Sequence, residues 1–341
     1  MRLLIVTDAW FPQINGVVRT LSTTRAKLME LGHEVEVIGP DRFRNVPCPT
    51  YPEIRLALCT PGRVGRLIEH IAPDAAHVAT EGPLGWAARS WLRRRGLPFT
   101  SSFHTMFPTY LKLRFGLPEK VSFSGMRRFH CGATATMYST PTLRAMLEAQ
   151  GFENLVRWVR GVDTDLFTPG EAEPLPFERP IQLYVGRIAV EKSVEDFLAL
   201  DTPGTKVVVG DGPQRAELEV RYPEVRFLGT RRGDELVRHY RAADVFVFPS
   251  RTETLGLVML EALACGVLVA AYPVQGPLDV VADSGAGVLD DDLARAVTAA
   301  IGIDPAVCRT RALDHSWDQS VREFFDNLVP FPAPGLQGET A

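Results

Sequence analysis

Apolar positions along this chain fall into two alternating periods. "RLLIVTD" is a run of strand length, "VVRTLSTTRAKLMELG" repeats its apolar residues every three to four positions and stops at glycine, and "HEVEVIGP" alternates into a second strand. The β-α-β order returns with "AAHVAT", the helix "LGWAARSWLRRRG" and the strand "PFTSSFH". A long segment with helical patches follows, then "ATATMYS" and the helix "TPTLRAMLEAQG". Strands alternating with helices predict a parallel sheet covered on both faces. "TPGEAEPLPFERP" then interrupts with proline and glutamate and no apolar period, as a linker does. The alternation resumes with "IQLYVGR", "SVEDFLAL", "TKVVVGDGP", "QRAELEVRY", "VRFLG", "GDELVRHYRAA", "DVFVFPS", an apolar helix, "VLVAAY", "DVVADSG" and "DDLARAVTAAI". The pattern divides the chain into an N-terminal αβ domain over 1–167, a linker over 168–180 and a C-terminal αβ domain over 181–312. A closing helix over 313–330 has an aromatic face that needs a partner, and it is expected to pack back towards the N-terminal domain.

Composition changes little in this picture. With 341 residues, 45% of them apolar, the chain is long enough for two ordinary domains. Five scattered cysteines, never paired as C-x-x-C, argue against a disulfide framework or zinc knuckle and fit a reducing cytoplasm. "MRLLIVTDAWF" is too short an apolar run for a secretory leader and lacks a small-residue cleavage site. Residues 255–274 approach the length and apolarity of a membrane span. Glu261 sits inside the stretch, however, Cys265-Gly266 breaks it, and "VLVAAYP" beyond the break is β-branched, so a buried helix and a buried strand are expected. Charge is unevenly spread. Residues 1–165 carry 21 Lys and Arg against 14 Asp and Glu, whereas residues 166–341 carry 16 against 27. The basic front half suits anionic partners such as acidic lipid or phosphate, and ordinary solvated charge explains it equally well.

Ligands of doubly wound sheets collect beyond the carboxyl ends of the strands, so residues just after strands are the candidates. After the first strand, Asn15-Gly16 opens a helix whose free amides and dipole favour an anion such as diphosphate; a tight turn explains Gly16 nearly as well. "YVGRIAVEKSV" places Arg187 and Lys192 beyond another strand, where two fixed cations neutralise a diphosphate without a metal. "VVVGDGP", with Gly210, is a further glycine-bearing strand end suited to a base or ribose. Neither G-x-G-x-x-G nor G-x-x-x-x-G-K-[ST] occurs. In "SRTETLGLVMLEA", Glu253 and Glu261 stand eight positions apart; on one helix they would lie roughly 12 Å apart along the axis, which suits acids binding hydroxyls at the two ends of a nucleotide-sugar. A first-turn acid and a structural ion-pair member are the structural alternatives.

"RTETLGLVMLEALACGVLVAA" resembles the E-x7-E segment of retaining glycosyltransferases of family 4, and "VGR…EK", "VGDGP" and "DVFVFPS" fall where that family has them. "DAWFPQINGVVRTL", "FHTMFPTYL" and "RGVDTDLF" are similar to the branch with bacterial GDP-mannose-dependent α-mannosyltransferases and diacylglycerol glucosyl and sulfoquinovosyl transferases. The resemblance covers residues 1 to about 328. It implies an α/β GT-B fold, two Rossmann-like doubly wound parallel-sheet domains facing a central cleft. By the same resemblance, Arg187 and Lys192 bind the diphosphate, Glu261 the ribose and Glu253 the donor sugar. Thr254, Leu255 and Gly256 supply backbone contacts, Gly16 and Gly210 line the donor site, and His104 lies near the reacting face of the sugar. Departure from the family pattern falls at "VQGPLDVV", where Gln275 replaces the first of two glycines before an acidic residue.

The activity so implied is retaining, metal-independent hexosyl transfer from a UDP- or GDP-linked sugar to a hydroxyl acceptor, without a cofactor. "DTD" at 163–165 and the three aspartates at 290–292 invite a metal reading, but the first enters the linker and the second caps a helix, so no metal is expected. In "PTYLKLRFGLPEKVSFSGMRRFH", residues 108–130, aromatic and aliphatic residues mix with Lys112, Arg114, Lys120, Arg127 and Arg128. That composition suits an anionic membrane surface presenting a lipid acceptor such as diacylglycerol, and a helix packed on its own core is the alternative. A peripheral location on the inner face of the cytoplasmic membrane follows from the lipid reading. Nucleic acid is not expected as a partner, because no binding motif accompanies the charge. A soluble or polysaccharide acceptor, a GT-B nucleotide-sugar epimerase and a non-catalytic sugar-binding module are the competing functions.

Overall fold

The computed structural model describes residues 1–13, 15–48, 51–172, 175–301 and 303–332, without the side chains of residues 51–53 and 114. They form two compact units. The first comprises Met1–Ser139, Arg144–Val159 and the chain from Ser320 onward; the second comprises Thr140–Leu143 and Arg160–Gln319.

In the first unit six parallel strands lie side by side in the order Glu34–Ile38, Arg2–Val6, Ala75–Val78, Thr100–Ser102, Ala135–Tyr138 and Leu155–Arg157. Successive side chains of a strand point to opposite faces, and here both faces are dry. Leu4 and Val6 join a core with Ile68 and Leu92 of the helices Pro61–Ile71 and Pro83–Arg94. Leu3 and Ile5 join another with Leu21 and Leu28 of the helix Gly16–Glu30 and with Val321 and Phe324 of the closing helix Trp317–Asp326. Trp158 fixes that last contact, its indole N–H donating to the carbonyl of Ser320 at 3.0 Å. Each such buried aliphatic side chain contributes on the order of 1.5–3 kcal/mol.

The second unit repeats the architecture around Arg226–Gly229, Thr205–Val209, Ile181–Val185, Val245–Phe248, Val269–Ala271 and Gly287–Leu289. Numbered along the chain, these parallel strands stand in the order 3-2-1-4-5-6, which reverses direction between Ile181–Val185 and Val245–Phe248. Such a reversal leaves a crevice beyond the carboxyl ends of the two strands. One core serves the whole unit. It includes Val162 and Phe167, and Leu175 and Phe177 pack against it. The carbonyl of Thr168 accepts from Arg241 at 2.8 Å, so the proline-rich segment begins and ends against the second unit.

The apolar stretch 255–274 resolves as the reading required, into the helix Leu257–Ala264 and the strand Val269–Ala271, both buried. No helix among the described residues is long and apolar enough to cross a membrane. Several described elements lie outside the alternation read from the sequence, the strand Leu155–Arg157 and the helix Ala306–Leu313 among them. The antiparallel pair Asn45–Cys48 and Tyr51–Ala57 carries Pro47 and Pro52, which weaken its strand signal, and the helix Pro61–Ile71 holds Gly62 and Gly65 within its first turns. Gly65 is required there because a Cβ would strike the indole of Trp91.

Candidate functional site

The crevice of the second unit gathers the charged candidates. Beyond Ile181–Val185 the chain passes Gly186 and Arg187, then tightens into a 3-10 turn over Val190–Lys192. Beyond Val245–Phe248 it passes Ser250 to Glu253. The two loops are sewn together. Lys192 and Glu253 form an ion pair, with side chains only 22% and 16% exposed. The hydroxyl of Thr252 donates to the carbonyl of Glu191 at 2.9 Å, and that of Ser250 donates to the same oxygen at 3.4 Å. Arg187 is held from below, its carbonyl accepting from the buried Tyr184 hydroxyl at 2.7 Å. Burial pushes the Lys192 ammonium down to about 8; Glu191 opposes the shift and Arg187 adds to it. Two cations and a carboxylate thus share one strand-end site in this unit.

The next loop closes on the first. The backbone N–H of Ile188 donates to the carbonyl of Asp211 at 3.0 Å, and a Cβ at Gly210, whose φ is +148°, would strike the Gly186 carbonyl. Gly210 therefore lets the "VGDGP" and "VGR" loops touch.

Glu253 and Glu261 do not share a helix, so the helical rise behind the expected separation of roughly 12 Å does not apply between them. The helix begins only at Leu257, because Gly256 at φ +86° turns the chain there, and a Cβ at Gly256 would press on Phe248 and Met259 at 2.9 Å. Glu253 and Thr254 precede it in the loop, and Leu255 is buried against the core. Glu261 is 2% exposed inside the helix, where its carboxylate accepts from the Tyr240 hydroxyl at 3.0 Å. A buried carboxylate needs such a donor. Gln275 lies beside this loop: a Cβ on its neighbour Gly276 would stand 3.0 Å from the Leu255 carbonyl and 3.5 Å from Glu253 Cβ.

The remaining candidates belong to the first unit. Gly16 opens its helix, but Asn15 Oδ1 accepts from the amides of Val17 and Val18 at 3.0 Å each. Those two groups, expected to be open to an anion, are already capped. His104 follows the strand Thr100–Ser102, partly buried, with its ring edge-on to Trp158 at 5.6 Å. Lys112 lies on the helix Phe107–Phe115, exposed and 3.6 Å from Glu119; the side chain of Arg114 on the same helix lies outside the described residues. Arg127 and Arg128 are exposed on the helix Glu119–His130. The carboxyl end of that helix is firmly held: Arg89 Nε donates to the Phe129 carbonyl at 2.9 Å, and His130 bridges Glu81 at 2.8 Å and Ser101 at 2.9 Å.

The aspartates at 163 and 292 cap local backbone. Asp163 Oδ1 accepts from the backbone amides of Asp165 and Leu166, Asp292 Oδ1 from those of Ala294 and Arg295, and no three His, Cys, Asp or Glu side chains among the described residues gather to hold an ion. Burial pushes the thiols of Cys265 and Cys308 up to about 12, which keeps them unreactive. Three residues of consequence escaped sequence reasoning: Tyr184, Thr252 and Asp8. The last is buried at the first unit's switch point, accepting from the amides of Leu84 and Gly85 and the hydroxyl of Thr80. Its place directly after the strand in "VTDAW" was the available signal.

Comparison with known proteins gives matches over both halves of the chain. The family described as "Glycosyltransferase Family 4" matches residues 14–166 and "Glycosyl transferases group 1" matches residues 179–302. A GDP-mannose-dependent alpha-mannosyltransferase of Mycobacterium tuberculosis is 33% identical over 317 residues, covering 85% of this chain and 83% of that one. An alpha-monoglucosyldiacylglycerol synthase of Acholeplasma laidlawii is 26% identical, covering 78% and 79%. A solved sucrose-phosphate synthase of Thermosynechococcus elongatus superposes with a TM-score of 0.76 at 20% identity, covering 95% and 97%, which is a likeness of fold. With twin parallel-sheet units, strand-end cations and matches over both halves, the chain belongs to the family 4 glycosyltransferases and has the GT-B fold.

Proposed function

We propose that this glycosyltransferase moves a hexose from a UDP- or GDP-linked sugar to a hydroxyl acceptor with retention of anomeric configuration, and that the acceptor is a membrane lipid such as diacylglycerol. The observation that carries the donor half is the strand-end constellation of Arg187, Lys192 and Glu253 at the switch point of the second unit. A departing nucleoside diphosphate carries the charge released when the glycosidic bond breaks. Arg187 and Lys192 stabilise it in a partly buried place where Coulomb interactions are strong, so neither a metal nor a cofactor is called for. Glu253 accepts from sugar hydroxyls and Glu261 from the ribose, while the oxocarbenium charge stays next to the leaving group as the acceptor attacks the same face.

The lipid half draws on surface chemistry. Leu113, Phe115 and Val121 are more than half exposed on a segment that also presents Lys112, Lys120, Arg127 and Arg128. Apolar side chains flanked by cations favour the headgroup region of an anionic bilayer, and the likeness to a diacylglycerol-modifying synthase points the same way. Incubation with GDP-mannose, UDP-glucose and their congeners over anionic vesicles containing diacylglycerol tests both halves. Glycolipid product is the expected result. Product on soluble glycans alone would replace the lipid acceptor, and interconversion of free nucleotide-sugars would replace transfer by epimerisation.

A further inference from the structure

In the second unit Lys192 is paired with the carboxylate of Glu253. We infer that this pair makes Glu253 an internal competitor for Lys192, so that the site selects the intact nucleotide-sugar over the spent nucleoside diphosphate. The inference rests on the donor site proposed above.

The pair is built in rather than a passing surface contact. Thr252 and Ser250 both bond the carbonyl of Glu191, the residue before Lys192, which fixes the loop bearing Glu253 against the turn bearing Lys192. Arg251 anchors the same loop on its other side, 3.5 Å from Asp196 and with its guanidinium 3.5 Å from the centre of the Tyr272 ring. Tyr272 closes the brace by donating to Asp196 at 2.9 Å. Both members of the pair are mostly shielded from water, where a lost partner is costly.

Any diphosphate must take Lys192 from Glu253 and set its own negative charge beside the abandoned carboxylate. An intact nucleotide-sugar offsets this with hydroxyl donors for Glu253. A bare nucleoside diphosphate brings none, so Glu253 stays unsatisfied and repels it. Once the hexose has left, Glu253 recovers Lys192 and the spent carrier is displaced. Because product release limits many enzymes, such competition has kinetic value.

Titration calorimetry with the full chain tests the inference, using GDP, UDP, GDP-mannose and UDP-glucose as probes. Glu253→Gln removes the competing charge at constant shape and is expected to bind the nucleoside diphosphate at least tenfold more tightly than the unsubstituted chain, with no gain for the intact nucleotide-sugar. Thr252→Val, which leaves both charges in place but cuts one tie, shifts the ratio in the same direction, and Thr252→Ser restores it. It also serves as the test should Glu253→Gln melt. Unchanged or weaker diphosphate binding in these variants overturns the inference alone. Failure of the unsubstituted chain to bind any of the four probes overturns the donor site with it.

Discussion

The hydroxyl of Tyr240, on the helix Gly233–Ala242, donates to Oε2 of Glu261 across 3.0 Å in the buried core of the second unit. The helix of Glu261 is apolar on nearly every side, and this phenol gives its buried carboxylate a donor and an orientation. Tyr240→Phe is expected to cost about 1–3 kcal/mol of stability and to weaken nucleotide binding several-fold through misorientation of Glu261. Glu261→Ala should abolish the ribose contribution altogether. Melting curves and calorimetry on the two variants check this; nucleotide affinity unchanged in both removes Glu261 from the ribose.

Tyr184 is placed to act on Arg187 through its backbone. Its hydroxyl donates to the Arg187 carbonyl at 2.7 Å, and burial drives the phenol pKa upward, so it remains a donor throughout the working range. Tyr184→Phe keeps the ring and removes one hydrogen bond, worth roughly 0.5–1.5 kcal/mol. Donor KM should rise about five- to tenfold, corresponding to roughly 1–1.4 kcal/mol, with kcat less affected. Steady-state kinetics at several donor concentrations separate the two effects.

How much of this was legible beforehand depended on the range of the forces involved. Parallel strands dry on both faces read as apolar runs, so both sheets and the change of unit stood out from patterns such as "RLLIV" and "DVFVF". Arg187 and Lys192 followed because cations placed just after a strand have a defined destination. Glu253 was expected on the helix and lies in the loop before it. Nothing within "ETLGLVMLEA" announces that Gly256 takes φ +86° and delays the helix to Leu257. Tyr184 and Tyr240 look like ordinary core aromatics, since their partners are set by tertiary placement. Asn15 caps the helix that Gly16 opens, a role that depends on a side-chain rotamer the letters do not show.

Lys192 gives nucleotide binding a pH signature. Its ammonium is pushed down to about 8 by burial, from an ordinary value of 10.5. Diphosphate favours the charged form, so affinity should decline as pH rises through about 8, and binding near pH 8–9 should take up a proton. For the fold the sign is opposite. Between about 8 and 10.5 the unfolded chain holds this proton more tightly, so the charged lysine costs stability below pH 8 and that cost fades as pH rises. Calorimetry in buffers of different ionisation enthalpy measures the uptake, and Lys192→Met should remove it.

Asp8 carries a second, separate pH dependence in the first unit. Burial pushes its carboxyl up to about 6 despite bonds from Leu84, Gly85 and Thr80. A folded pKa above the unfolded 3.8 means that its contribution is fully present below about pH 4 and is lost as pH rises through 6, on the order of 2–3 kcal/mol in all. Asp8→Asn keeps one acceptor oxygen for the Leu84 amide, puts an amide donor in place of the oxygen that accepts from Gly85 and Thr80, and does not titrate. The difference between the melting curves of the two chains should therefore change between pH 4 and 6 and be flat above pH 7. A difference independent of pH would place the Asp8 carboxyl near its ordinary value.

The helix Glu119–His130 makes the membrane reading measurable. Arg89 and Asn154 hold its carboxyl end through the carbonyls of Phe129 and His130, so substitutions among its exposed residues need not unfold it. Lys120, Arg127 and Arg128 of this helix are exposed, as is Lys112 of the helix before it. Each cation near an anionic bilayer is worth about 1 kcal/mol. Reversing Lys112, Lys120 and Arg128 to Glu is expected to reduce partition onto phosphatidylserine-containing vesicles by at least a hundredfold, and a rise in salt should imitate the effect. Phe115→Ser and Val121→Ser should weaken it further without altering its salt dependence, because they remove buried apolar area instead of charge. Vesicle sedimentation across a salt series distinguishes these contributions. Partition unchanged by charge reversal would assign the cations to ordinary solvated surface and leave a soluble acceptor as the better reading of the enzyme.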